Sequence, residues 1–133
     1  MNHIHLRRMS MADADQMLVW KNYSETRQFA LISREEIKKE DHYNWLAKNI
    51  QYFQVIEMDS MVVGAIRIQD GEISIWLDRA FRGQGIASQV IRLVARHNMT
   101  AKIMTANLAS MRAFIAAGFR PSSYEGSHYI FIK

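Results

Sequence analysis

A strand-like run that leads through a glycine-containing turn into a helix constrains this chain most. The run covers residues 72–77 (EISIWL), and the segment Arg82 to Ala87 (RGQGIA) then opens an apolar-periodic stretch. Such a junction gathers unpaired backbone N–H groups and the positive end of the helix at one point, which suits a phosphate or pyrophosphate. Neither the dinucleotide fingerprint nor the P-loop is present, because the first needs three glycines and the second needs Gly-Lys-Ser/Thr. The sequence therefore predicts a phosphorylated ligand held by another kind of loop.

A second motif follows nearer the C-terminus. Residues 107–119 read NLASMRAFIAAGF, in which Asn107 suits a helix N-cap and Gly118 a C-cap. Together the two motifs resemble the Arg/Gln-x-x-Gly-x-Gly/Ala and Asn-x-x-Ser/Ala-x-x-x-Tyr/Phe-x-x-x-Gly-Phe signatures of the GNAT superfamily, the acetyl-CoA-dependent N-acetyltransferases. Each motif alone is compatible with ordinary helix ends. Their order, with a strand between the two helices, favours the family over a generic α/β domain.

Periodicity and turn signals predict a single domain over residues 1–133. The predicted strands cover residues 3–8, 52–58, 61–68, 72–77, 101–106, 119–124 and 128–133. The predicted helices cover residues 12–23, 33–50, 85–97 and 107–118. Ser33 and Glu36 have the spacing of a capping box, and Asp70-Gly71 signals a hairpin. This order resembles the whole GNAT fold, which is α/β (α+β) with a mixed, largely antiparallel central sheet of about seven strands flanked by about four helices.

The composition predicts a compact, cytoplasmic domain. The 133 residues are 49% hydrophobic, the net charge is +4, and there is no cysteine. No apolar run approaches the roughly 20 residues of a membrane helix, and the N-terminus reads as a strand rather than a signal peptide, so no membrane association is expected.

The histidines lack metal-ligand spacing, so no metal is expected. Basic and acidic residues alternate, as in residues 34–41, which argues against nucleic acid and suits an anionic ligand such as coenzyme A. A monomer and a homodimer both remain open.

The resemblance implies an acetyl-CoA site made mainly of backbone. The pantetheine arm would lie where the sheet splays between its fourth and fifth strands, and would pair with Ile75, Trp76 and Leu77. The pyrophosphate would bind the amides of Arg82, Gly83, Gln84, Gly85, Ile86 and Ala87. Asn107, Ser110 and Phe114 are carried over as further cofactor contacts. The side chains of Arg79 and Arg82 are candidates for charge-assisted bonds to phosphate.

The chemistry that the resemblance implies is direct attack of a neutral amine on the thioester. The amide near Leu77 is the expected oxyanion donor. Many relatives protonate the thiolate with a tyrosine where this chain has Phe114, which cannot donate a proton. The substitutes left open are Ser110, Tyr124 and His128, or departure of the thiolate without help. For the general base, Glu72 and a water relay are both open.

The first third of the chain carries an acceptor pattern. Trp20-Lys21-Asn22, Thr26-Arg27 and His42-x-x-Trp45 resemble the Trp-Arg-Asn, Val-Arg and His-x-x-Trp elements of the branch that acetylates amino sugars on nucleotide carriers. The implied substrate-binding residues are Trp20, Asn22, Arg27, His42 and Trp45. An indole can stack on a sugar or base, and a cation can meet a diphosphate. Core packing explains the tryptophans equally well.

Three functions follow from these patterns. The first is an N-acetyltransferase that modifies an amino sugar, on a nucleotide carrier, in a ternary complex with acetyl-CoA. The second acetylates a protein or peptide α-amine, because ribosomal-protein acetyltransferases carry related patterns. The third is a catalytically weak acyl-CoA-binding module, for which Phe114 is the argument.

Overall fold

The computed structural model describes residues 3–28 and 35–133. The strands are β1 (Ile4–Arg8), β2 (Phe53–Met58), β3 (Met61–Gln69), β4 (Glu72–Leu77), β5 (Thr100–Met104), β6 (Arg120–Tyr124) and β7 (His128–Ile132). The helices are α1 (Ala14–Asn22), α2 (Ser24–Gln28), α3 (Lys39–Asn49), α4 (Ile86–Val94) and α5 (Leu108–Ala116), with short 3-10 turns at Met11–Asp13, Ile50–Tyr52 and Arg79–Phe81. None of the helices in these ranges has the length and apolarity to cross a bilayer.

All strands join one mixed sheet in the order β1-β2-β3-β4-β5-β7-β6. Strands β1 to β4 pair antiparallel, and β5, β7 and β6 form a second antiparallel group. The two groups meet where β4 and β5 run parallel, and a single register pair, Glu72 with Thr100, joins them. The predicted fold class is confirmed, and the splay between the fourth and fifth strands is present.

Helices cover both faces of the sheet. Because successive residues of a strand point to opposite faces, Ala65 and Ile66 of β3 belong to different cores. On one face, Trp20 of α1 and Leu46 of α3 pack with Ala65, and we call this the α1–α3 face. On the other, Val90 of α4 packs with Ile66, and we call this the α4–α5 face.

Two helix boundaries differ from the prediction by three residues or more, and one helix was not predicted. The helix expected from residue 33 begins at Lys39, because the side chain of Asn22 accepts from the amide of Ile37 (2.8 Å) and donates to its carbonyl (2.9 Å), which holds this segment in a non-helical connection. The capping residue Ser33 lies outside the described residues. Helix α4 ends at Val94, since Ala95 is extended with ψ 134°. Helix α2 was not predicted, because five residues are too few to show a period.

Candidate functional site

A cleft opens between β4 and β5 toward the C-terminal ends of both strands. The strands touch only at Glu72 and Thr100, so they separate toward Leu77 and Met104. The amide of Asp78 donates to the carbonyl of Val63 on β3 at 2.8 Å. Alternate residues of a strand direct their backbone groups to opposite neighbours, so Ile75 and Leu77 turn theirs toward the cleft.

The same alternation corrects one prediction. The backbone of Trp76 faces β3, where Trp76 is the register partner of Ala65. Trp76 therefore cannot pair through its backbone with a ligand in the cleft. Its side chain instead lies on the α1–α3 face, 5.8 Å from the ring of Phe53.

The turn after β4 presents a row of backbone amides without acceptors. Gly83 has φ 76°, and Gly85, the N-cap of α4, has φ 77°. Among the described residues, nothing accepts a hydrogen bond from the amides of residues 83–87. A Cβ atom added at Gly83 would meet nothing within 4 Å, and one at Gly85 would meet only Nε2 of Gln89 at 4.0 Å. These amides lack protein acceptors and lie at the positive end of a helix, an arrangement that suits an anion.

Glu25 of α2 holds the two arginines that flank this turn. Its carboxylate accepts two bonds from Arg79, at 2.7 and 2.8 Å, and one from Arg82 at 2.8 Å. The hydrogen bond from Arg79 is the main cause that lowers the pKa of Glu25 far below its ordinary value. The guanidinium of Arg79 also lies 3.9 Å from the centroid of the Tyr23 ring. Both arginines would have to exchange this carboxylate for a phosphate in order to bind one.

Helix α5 begins at the open end of the cleft. Oδ1 of Asn107 accepts from the amide of Ser110 at 3.3 Å, which makes Asn107 the N-cap, and Ser110 lies half-buried in the first turn. Phe114 is 2% exposed and packs edge-on against Phe119, with the ring centroids 5.1 Å apart. The prediction that Phe114 contacts the cofactor is therefore corrected, because its ring belongs to the α4–α5 core.

Glu72 lies at the wrong end of the cleft for a general base. It begins β4, where β4 and β5 are joined, and it forms an ion pair with Lys102 at 3.8 Å. Its Cα lies five positions before Leu77, about 17 Å along the strand, whereas a base must be within hydrogen-bond reach of its proton. The candidate role for Glu72 is corrected for this reason.

The other candidate proton donors are placed by β6 and β7. His128 is the register partner of Met104, at the open end of the cleft, and its Nδ1 lies 3.0 Å from Oγ of Ser127. Tyr124 is on β6, two strands away from β5, and its hydroxyl donates to the carbonyl of Gly126 at 2.6 Å. His128 is therefore nearer to the open end of the cleft than Tyr124.

Two of the predicted acceptor residues lie in the core. Trp20 is 2% exposed, and its Nε1 donates to Oδ2 of Asp78 at 3.2 Å, which ties α1 to the end of β4. His42 is 1% exposed, and its Nε2 donates to the carbonyl of Ala14 at 3.0 Å. With their faces covered, neither ring can stack on a substrate in this structure. The interpretation of both as direct ligands is corrected to one of helix anchoring.

The remaining acceptor candidates are partly accessible. Asn22 uses its side chain to hold Ile37, and Nε of Arg27 donates to the carbonyl of Asn22 at 3.2 Å. Trp45 is 37% exposed, and the ammonium of Lys21 lies 3.9 Å above the centroid of its ring. Sequence reasoning passed over Lys21, although it lies inside the Trp20-Lys21-Asn22 motif, and it passed over Glu25.

Comparison with known proteins agrees with this geometry. A family model described as the acetyltransferase (GNAT) domain matches residues 3–120. A Bacillus subtilis (strain 168) protein described as the probable N-acetyltransferase YjcK is 29% identical over 97 residues, which cover 65% of this chain and 52% of that protein. The chain thus spans about half the length of this curated relative.

Solved structures share the fold at low sequence identity. A domain from Methanocaldococcus jannaschii DSM 2661 superposes with a TM-score of 0.82 at 19% identity, covering 98% of this chain and 97% of that one. The aminoglycoside acetyltransferase AAC(6')-Ib, solved with coenzyme A and kanamycin, gives a TM-score of 0.78 at 14% identity, covering 98% and 94%. Similarity at these identities extends to the fold.

Proposed function

Because the chain belongs to the acetyltransferase (GNAT) domain family, we propose that it transfers an acetyl group from acetyl-CoA to the primary amine of an amino sugar on a nucleotide carrier. The observation that carries the proposal is the row of unpaired amides at residues 83–87, which begins where the open edge of β4 ends. A diphosphate with a long polar arm fits this arrangement, because the amides suit the diphosphate and the strand edge suits an arm with amide groups.

The residues present fit each part of acetyl-CoA. The amides of residues 83–87 would hold the pyrophosphate, and the cleft-facing backbone groups of Ile75 and Leu77 would pair with the arm. The carbonyl of Leu77 already accepts from Nε of Arg82 at 3.3 Å, which leaves its N–H for the reaction. When bound, acetyl-CoA supplies a thioester activated for attack by an amine.

Two protein groups then serve the transfer. The N–H of Leu77 stabilises the oxyanion that develops on the thioester carbonyl. His128, at the open end of the cleft, takes the proton that the ammonium of the acceptor must lose. The amine attacks directly, so no covalent intermediate on the protein is required. The positive N-terminus of α5, with Ser110 in its first turn, would stabilise the charge of the departing thiolate.

The acceptor class is supported by the surroundings of the cleft on the α1–α3 face. There the ammonium of Lys21 lies over the partly exposed Trp45, and the partly exposed Trp76 packs beside Phe53. A sugar nucleotide requires aromatic and cationic groups together, whereas a peptide acceptor requires a groove that accommodates backbone.

The test is release of coenzyme A from acetyl-CoA, followed with a thiol reagent, which the absence of cysteine leaves free of protein background. The arms are a UDP-linked 4-amino sugar, a peptide with a free α-amine, and no acceptor. We expect release with the sugar nucleotide. Release with the peptide alone would replace the proposed acceptor, and acetyl-CoA binding without release in any arm would favour a binding module.

A further inference from the structure

Arg67 lies in the middle of the sheet on the α1–α3 face. It is flanked in register by Phe53 on β2 and Ser74 on β4. One terminal nitrogen donates to Oε1 of Gln69, while Nε is buried and has no acceptor among the described residues. A guanidinium has five N–H donors in a rigid fork, and the buried Nε–H leaves part of that binding capacity unused.

Lys21 approaches the same region from the last turn of α1. Its ammonium lies above Trp45, and the Trp45 ring packs edge-on against Phe53 with the centroids 5.7 Å apart. Lys21 adjoins Trp45, and Arg67 is beside Phe53 in register, so both cations border the same aromatic pair. Burial lowers the pKa of Lys21 to about 8, and the charge of Arg67 contributes to the shift.

No carboxylate balances these charges. In the described ranges 3–28 and 35–133, neither Lys21 nor Arg67 forms an ion pair, and residues 1–2 and 29–34 contain no Asp or Glu. The neighbouring His42 adds no negative charge, and its pKa is lowered by burial and by Lys21, so its ring is neutral at pH 7. Buried cations are normally paired, because removal from water disfavours an unpaired charge.

We infer that Lys21 and Arg67 form a subsite on the α1–α3 face for a phosphate group of the acceptor. This inference rests on the proposed function, because the molecule that carries the phosphate is taken to be the amine that accepts the acetyl group. Phosphate satisfies both cations at once, since it accepts bidentate bonds from a guanidinium and a third bond from an ammonium.

The position of the pair in the sheet restricts the acceptor further. Arg67 is opposite Ser74, which lies three positions before Leu77, so the subsite is on the order of 10 Å from the oxyanion donor. The amine and carboxylate of one α-amino acid are too close together to reach both points. A sugar that carries its amine and its phosphate at opposite ends spans them.

The test compares Arg67→Gln and Lys21→Met with Lys48→Met, which removes an exposed lysine of α3. Each is assayed with the UDP-linked amino sugar and with the same amino sugar lacking the nucleotide. We expect the first two variants to raise KM for the sugar nucleotide about tenfold or more, since charged hydrogen bonds are lost, with kcat and KM for acetyl-CoA little changed. With the free sugar they should match wild type.

Calorimetric titration of UDP into the protein saturated with coenzyme A measures binding at the subsite independently of acetyl transfer. Wild type and Lys48→Met should bind UDP, and Arg67→Gln and Lys21→Met should not, while all four keep cooperative thermal unfolding. Dependence of UDP binding on both residues without turnover would sustain the subsite and reject the proposed function. Turnover of the sugar nucleotide with a KM that neither variant changes would overturn the subsite.

Discussion

At the turn before α4, the backbone conformation of a single residue, Gly85, helps to position the unpaired amides. Gly85 occupies the left-handed region at φ 77°, where a Cβ costs an L-residue about 1–2 kcal/mol. Gly126, in the turn between β6 and β7, has the comparable φ of 90°, and a Cβ there would also meet nothing within 4 Å. The two glycines therefore carry similar backbone strain when substituted, but only Gly85 lies beside the unpaired amides.

Gly85→Ala should weaken coenzyme A binding several-fold, because relaxing the strained turn moves the amides away from the pyrophosphate. Isothermal titration calorimetry with coenzyme A measures the change, and urea unfolding measures the shared loss of stability of about 1–2 kcal/mol. The matched control Gly126→Ala should lose a similar amount of stability and keep the wild-type affinity for coenzyme A. Equal affinities for coenzyme A in the two variants would contradict the role of this turn.

At the scale of elements, strand alternation decides which groups share the reaction face. Glu72 lies on the same face as Trp76, because both are at even positions of β4, and Glu72 contacts Lys102 on β5. Met104 shares that face with Lys102, and its register partner His128 does so too. The pairing of β5 with β7 therefore puts an imidazole on the α1–α3 face at the open end of the cleft.

His128→Gln should lower kcat by about a hundredfold, because the variant has lost the group that takes the proton of the acceptor. The comparison is Glu72→Gln, which removes a carboxylate at the closed end and should change kcat little. Initial-rate assays at saturating acetyl-CoA provide kcat for both variants. A larger loss of kcat in Glu72→Gln than in His128→Gln would reverse the assignment.

Over the whole molecule, charge is distributed unevenly between the surface and the α1–α3 face. Glu25 pairs with both arginines near the loop, whereas Lys21 and Arg67 have no ion-pair partner among the described residues, and the charge of Arg67 acts on Lys21. Folding therefore places two like charges close to each other in a partly dehydrated region, and this opposes stability. The arrangement exchanges stability for a binding site, as functional sites often do.

The lowered pKa of Lys21 predicts how the free energy of unfolding varies with pH. The pKa of Lys21 is about 8 in the folded protein and has its ordinary value of 10.5 when unfolded, so between these values the unfolded chain binds more protons and stability rises with pH. Below pH 8 both states are charged and the full penalty applies. Lys21→Met should therefore be more stable than wild type at pH 7, and the difference should shrink between pH 8 and 10.5.

Urea unfolding of the two proteins at half-unit pH intervals measures this difference. Burial and the charge of Lys21 lower the pKa of His42 from its ordinary value, so its titration lies below this window. Lys48→Met should show a constant offset from wild type. A difference between wild type and Lys21→Met that stays constant from pH 7 to 10.5 would show that Lys21 is not dehydrated by folding.

Much of the fold and part of the site could be predicted because their causes are local. Strand alternation, the caps at Asn107 and Gly118 and the glycine turn before α4 act over a few residues, and they placed the seven strands and the turn whose amides lack acceptors. The start of α3 could not be predicted, because it depends on hydrogen bonds from Asn22 to a distant part of the chain.

The sequence by itself determined the order of the strands, the family motifs and the glycine turn before α4. Only the tertiary structure decided that Trp20, His42 and Phe114 are core residues, that Glu72 lies at the closed end of the cleft, and that Lys21 and Arg67 border one aromatic pair with no ion-pair partner among the described residues. The physical reason is that burial and unpaired charge depend on which distant segments pack together, and a pattern of neighbouring residues does not contain that information.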